Sequence, residues 1–439
     1  MFKTFINAFK IPEIRKRLLY TLFAIIIIRI GTAIPAPGVS AELIEYIKSL
    51  ELDFLNTLTG GPFTQMSIFA LNVSPYINAS IIMQLLTIAI PKLEEMSKDG
   101  EDGREKINKI SRYLTIVLAL IESVAMAVSF GNSAYTASGT VTFTEVAVIA
   151  LSFTAGTSFL MWLGERITER GVGNGISMIL LINIVARLPE DMVTLVEKFI
   201  IDASSVIMGI IAAIVILVVI VGMVVLIVLL QDAERRIPVQ YAKKIQGRKM
   251  VGGQASSIPL KVNTSGVIPV IFAMSLLQFP IIISSFFGVS GSTSGSVWQK
   301  ILYLFNQSNW FDTSSFVYTL GVLIYIALII FFAYFYTAVT FNPIEIANNL
   351  KKQSGFIPGI RPGKPTSDYL TEVLNRVIFI GAIALSIVAV IPIFFTGIFS
   401  VSVSFAATSI IIVVGVILET MKQIESMMAV RHYTGFLDK

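Results

Sequence analysis

Apolar residues run in ten long stretches along this chain, at 17–34, 72–91, 112–131, 145–164, 173–188, 206–230, 265–287, 316–337, 375–395 and 404–421, with polar connections between them. A helix of about 20 apolar residues crosses a hydrocarbon core about 30 Å thick, so the pattern predicts an all-α polytopic membrane protein. Residues 204–230 contain no charge at all, and 377–418 is uncharged and long enough to cross twice, with a break at 396–404.

Three places depart from simple greasiness. The second stretch is punctuated by Asn72, Ser74, Pro75, Asn78, Ser80, Gln84 and Pro91; Val73, Ile77 and Ile81 recur at helical spacing on one face, with Ser74 and Asn78 on the next. Such a helix either packs through its small and polar residues or lines an aqueous path. Upstream, 56–71 is cut by Gly60, Gly61 and Pro62, leaving about ten residues, roughly 15 Å of helix. Non-helical backbone at membrane depth survives only inside protein or beside water, so this segment reads either as a re-entrant half-helix or as a structured extracellular loop. The fifth stretch opens on Gly171, Val172, Gly173, Asn174 and Gly175, with Ile176 and Leu180 sharing a face beyond it. The glycines serve either a tight connection or a close approach of backbones.

Charge orients the chain. An even number of spans puts both termini on one side, and 28 of the 33 Lys and Arg fall in the tails and connections of that side. Both termini are therefore expected to be cytoplasmic. The opposite loops hold only Lys48, Arg187, Lys198 and Lys300. The first span, preceded by an amphipathic start around Phe2, Phe5, Phe9 and Ile11, shows no cleavage signal and is expected to be retained. Five spans precede residue 190 and five follow 205; because five is odd, two such halves are inverted relative to each other. Arg29 and Glu122 are embedded at similar depth, about 18 Å and about 15 Å along their spans. They form a buried pair or are solvated separately.

Chemistry is excluded more readily than found. The chain has no Cys and one His, His432, near its end, and it lacks HExxH and GxSxG patterns. Residues 355–366 superficially resemble a phosphate loop ending in Pro362, Gly363 and Lys364, but Pro358 stands where Gly is required. No enzyme, cofactor or metal site is expected. A secondary solute transporter with broken helices is the alternative, weakened by there being one clear intramembrane acid. Two long cytosolic connections remain. Residues 231–263 carry a net charge of +5 over 33 residues, as topology or docking on a polyanion would demand. In 338–374, Pro358 and Pro362 stiffen a frame that presents Arg361.

Several motifs in order carry a resemblance. They are Phe69-Ala70-Leu71 with Pro75-Tyr76-Ile77, Trp162-Leu163-Gly164-Glu165 with the run Ile167 to Ser177, and Pro259-Leu260-Lys261-Val262-Asn263 with Gly266-Val267-Ile268-Pro269. Phe341-Asn342-Pro343, Asn349-Leu350-Lys351-Lys352 and the run Ile357 to Gly363 complete the set. With these the chain resembles, from first span to carboxyl end, the SecY family, the central subunits of the bacterial protein-conducting channel.

The resemblance implies ten transmembrane helices in two inverted five-helix halves, 1–190 and 206–439, joined at 191–205 around a central hourglass pore. Its waist falls on Val73, Ile77, Ile176, Leu180, Ile271 and Ile412. A plug at about 56–65 includes Asn56, Gly60, Gly61, Pro62, Phe63 and Gln65. Spans two and three facing seven and eight form a lateral gate near Gln84. Arg248, Lys249 and Arg361 match positions that engage the ribosome and the SecA motor ATPase; Lys249 stands where relatives often have Arg, keeping charge but losing the bidentate fork. The implied partners are SecE-like and SecG-like small subunits, SecA, the ribosome, signal sequences, unfolded polypeptides and membrane lipid. The implied place is the bacterial inner membrane, and the implied task is passing unfolded secretory proteins across it while releasing transmembrane helices into lipid.

Overall fold

The computed structural model describes residues 2–39, 65–134, 143–197, 201, 206–241, 244–246, 249–251, 255–286, 289, 291–292, 295–310, 316–399 and 407–434. A helix lies on each of the ten apolar stretches: α2 (Pro12–Ala33), α3 (Ser74–Ala89), α5 (Glu101–Ala134), α6 (Phe143–Arg170), α7 (Gly175–Val196), α8 (Val206–Asp232), α9 (Ile268–Phe286), α11 (Leu320–Thr340), α13 (Lys364–Phe399) and α14 (Ala407–Thr434). Shorter helices are α1 (Phe2–Lys10), α4 (Pro91–Lys98), α10 (Val297–Phe305) and α12 (Pro343–Lys352).

Among the described residues, five helices are long and apolar enough to cross a bilayer, or six if the bent pair α3 and α4 is one span. Three of the others fall short for visible reasons. Arg15, Lys16, Arg17 and Arg29 interrupt α2, while the apolar parts of α7 and α9 are only Gly175–Pro189 and Ile268–Ile281. The bend between α3 and α4 is 105°. Its cause is local: Pro91 has no N–H and pushes Ile90 out of the helical region, to φ −110° and ψ 112°.

The all-α expectation needs correction, because the two long connections build strands. β1 (Glu234–Tyr241) pairs antiparallel with β4 (Ala255–Lys261), with Ile237 opposite Ile258, and at its other edge with β5 (Gly355–Phe356), giving the order β4-β1-β5. β2 (Lys244–Gln246) and β3 (Lys249–Val251) form a separate hairpin. Along β1 burial alternates, with Ile237 and Val239 inward; they meet Leu260, Leu350, Ile357 and Leu370 in one core. A period of two with one apolar face makes a strand.

The chain divides into two compact units: Met1–Ala213 with Gln278–Tyr303 and Val401–Lys439, and Ile214–Leu277 with Leu304–Ser400. In the first, α5 packs on α6 and α3, α6 on α2 and α7, and α14 on α7 and α1. In the second, α11 and α12 pack on α13 beside the three-stranded sheet. On Gly381 of α13 a Cβ would overlap the carbonyl of Val262, so the end of β4 lies directly on that helix.

Candidate functional site

The residue that locates the site is Gly156, midway along the 28-residue α6 and so about 20 Å from either end. A Cβ there would overlap the carbonyl of Ile68; the segment before α3 therefore touches α6 at its centre. That segment, Gln65 to Val73, is a run of turns. Ala36 N–H donates to the Met66 carbonyl at 2.9 Å and Ile68 N–H to that of Ile34 at 3.0 Å, around a bridge between Pro35 and Ser67. Met66 and Asn72 have φ of 45° and 51°, values a right-handed helix does not accept. The half-helix reading thus fails over 65–71, while its physical premise is respected: the irregular backbone against the middle of α6 is hydrogen-bonded and packed in protein. The Phe69 ring fills the space a Cβ would take on Gly31 of α2, fastening the turn on a second side. Gln65 is exposed; Asn56, Gly60, Gly61, Pro62 and Phe63 lie outside the described residues.

From this turn α3 starts as a helix of 16 residues, about 24 Å long. Val73, its N-cap, and Ile77 are buried one turn apart. On the adjacent face Asn78 Nδ2 donates to Glu122 Oε1 of α5 at 3.2 Å, so Asn78 packs helix on helix. It also decides between the two readings of Arg29 and Glu122. The carboxylate is held by the amide, and the buried Nη1 of Arg29 has no partner among the described residues. Gln84 Nε2 reaches only Ser80 of its own helix, at 3.5 Å, the outer limit of a hydrogen bond, and its buried Oε1 meets no partner among the described residues.

The glycine run before α7 is a junction of four helices. Val172 N–H donates to Thr21 Oγ1 of α2 at 3.0 Å, Gly173 N–H to Gln423 Oε1 of α14 at 2.6 Å, and Gly175 N–H to Thr168 Oγ1 of α6 at 2.8 Å. Asn174 Oδ1 accepts from Ile176 and Ser177 N–H, capping α7. Gly173 has φ of 86°, and at Gly175 a Cβ would overlap the Gly164 carbonyl. Close approach, the second of the two readings, is the one realised. Sequence reasoning missed Thr21 and Gln423, which lie 151 and 250 positions from their partners and leave no local signal.

This junction sets the start of α7, with Ile176 half-buried and Leu180 buried. Ile412, also buried, stands on α14, which packs on α7. Ile77 stands on α3, packed on α5, with Val73 at the N-cap of that helix. Ile271, half-buried on α9, belongs to the other compact unit. There, Arg361 projects from a turn whose Gly359 and Gly363 have φ of 84° and 103° and open space around them. Its carbonyl accepts from Thr366 Oγ1 at 2.8 Å, and buried Ile357 seats the turn in the sheet core. Lys249 opens β3, opposite Gln246; Arg248 lies outside the described residues.

A sequence profile of the SecY family matches residues 67–421. The protein translocase subunit SecY of Halalkalibacterium halodurans is 42% identical over 445 residues, and that of Bacillus subtilis 43% over 446, each alignment covering 100% of both chains. The chain belongs to the SecY family. Its function is accordingly that of a protein-conducting channel subunit, a polytopic protein of the bacterial cell membrane.

SecY-type architecture also appears in the fold. A solved structure described as a protein conducting channel aligns with a TM-score of 0.65 at 17% identity, covering 96% of each chain. Sec61 from a canine ribosome-channel complex aligns at 0.62 and 16%, again over 96% of each. At that identity the likeness concerns the fold, a mostly helical arrangement with several apolar helices.

Proposed function

We propose that this SecY chain forms an hourglass pore whose waist is the ring Val73, Ile77, Ile176, Leu180, Ile271 and Ile412, built by two inverted halves, 1–190 and 206–439, of five transmembrane helices each, with 191–205 between them. The observation that carries the reading is the turn at 65–73. It touches the middle of α6 at Ile68, which supports a short α3 that starts inside the membrane with Val73 and Ile77 at its beginning. Branched aliphatics at a constriction exclude ions by dewetting and yield to a sliding chain. Residues 56–65, immediately before the turn, are the plug, and α3 and α5 opposite α9 and α11 are the lateral gate, with Gln84 on its seam.

Both termini are cytoplasmic in this proposal, which puts the sheet platform in the cytosol. Arg248, Lys249 and Arg361 there engage the ribosome or a SecA motor; the canine Sec61 relative is described in a ribosome-channel complex. SecE-like and SecG-like subunits complete the assembly. The chain breaks no bond: partner and signal-sequence binding shift its population towards an open state.

Because the chain has no Cys, Ile77→Cys supplies a single thiol. It should crosslink to a precursor stalled in transit, whereas a thiol at Leu217, exposed on the apolar α8, should not. Crosslinking from Leu217 in preference to Ile77 would overturn the pore assignment.

A further inference from the structure

The last turns of α9 and the short helix that follows carry surface the pore does not use. Phe279 and Ile283 are exposed on α9, an apolar face of the kind lipid covers. In the same compact unit, α10 is tied to α9 beside that face: Trp298 Nε1 donates to the buried Ser284 Oγ at 2.9 Å. The indole is thus fixed at its polar edge, yet Trp298 remains 48% exposed and its neighbour Val297 76%. Leu302, about one turn on, is buried, so α10 has a seated face and a free one.

Local bonds fasten the helix. Ser296 N–H donates to Gln299 Oε1 at 2.8 Å, and Ser292 N–H to the Gln299 carbonyl at 3.2 Å. Lys300 is exposed beside the free face. An indole with its N–H bonded and its ring bare, next to a bare Val and a Lys, suits the boundary between headgroups and acyl chains. There apolar area is covered and an ammonium reaches phosphate. The indole is bonded to Ser284, the residue after the exposed Ile283 of α9, and this neighbouring apolar surface makes lipid, and not another protein, the occupant that fits.

We infer that α10 is an interfacial anchor: its Val297–Trp298 edge is embedded at the bilayer surface with Lys300 among lipid phosphates, fixing the end of α9. This rests on α9 being a membrane span. By the topology proposed above, the leaflet is the extracytoplasmic one. An opening motion of α9 must then drag or release this foothold.

The test uses three single-thiol variants, Val297→Cys, Ile283→Cys and Glu345→Cys, the last exposed on α12. Each carries an environment-sensitive fluorophore in liposomes of phosphatidylcholine and phosphatidylglycerol bearing a nitroxide on the headgroup or in mid-chain. The label at 283 should be quenched most by the mid-chain nitroxide. That at 297 should be quenched most by the headgroup nitroxide and be about fivefold less open to aqueous iodide than that at 345. Equal iodide quenching at 297 and 345, with 283 still embedded, would overturn the anchor and leave the span intact. Iodide access at 283 would remove the span and the anchor together. Shielding of 297 that appears only when a small partner subunit is added would assign the surface to protein and overturn the inference. Adding Lys300→Glu to the Val297→Cys variant should reduce headgroup quenching in anionic liposomes, and an unchanged signal would remove the phosphate contact.

Discussion

Glu122 shows how an isolated intramembrane charge is settled. Sequence depth alone makes Arg29 a plausible partner, yet the carboxylate accepts from Asn78. If no ion pair exists, exchanging the charges in an Arg29→Glu, Glu122→Arg double variant should leave each single defect unrepaired. Accumulation and export measured for the two singles and the double would check this, and recovery in the double would mean that the groups do pair. Removing the amide instead, by Asn78→Ala, should cost about 1–3 kcal/mol, the penalty for leaving a buried acceptor unmade, read as a lower unfolding midpoint in detergent.

Among elements, the start of α7 depends most on distant residues. Thr21 both donates to the Arg17 carbonyl and accepts from Val172 N–H, so Thr21→Val keeps the shape while stranding a buried N–H. The expected loss is about 1–3 kcal/mol, with faster amide exchange at 172–176 as the diagnostic. Gly175→Val should be worse, because any Cβ there overlaps the Gly164 carbonyl, and little folded protein should accumulate. These examples also mark what was legible. Helices were readable wherever apolar runs were long, and the break at Pro91 fell where proline chemistry put it. The turn at 65–73 was readable only as a non-spanning segment, since its path is dictated by Ile34, Ala36 and the middle of α6. The strands were missed because the charges of 231–263 drew the reading. The inward alternation of Ile237 and Val239, the one usable signal, is only two residues deep.

For the molecule as a whole, the ring and the platform make separable predictions. Replacing all six ring residues by Gly or Ser should raise resting ion conductance in planar bilayers, and unchanged conductance would place the seal elsewhere. Arg361→Glu should abolish motor-driven export while the chain still inserts at normal levels, because the side chain projects from a turn seated independently by Ile357. Normal export by that variant would strip the turn of its assigned role. The proposed ring stands in the sequence partly as helical pairs, Val73 with Ile77 and Ile176 with Leu180. Ile271 and Ile412 enter the proposal only through the family motifs, since nothing in their own spans singles them out.

The pairing of Gln240 with Phe356 joins two long connections that the chain separates by three helices. A load applied at Arg361 therefore cannot deform one connection alone. It is shared with β1 and β4 and arrives at Val262, wedged against Gly381 on α13 and a few residues from the root of α9. The place where the stitched sheet meets the helix is a glycine.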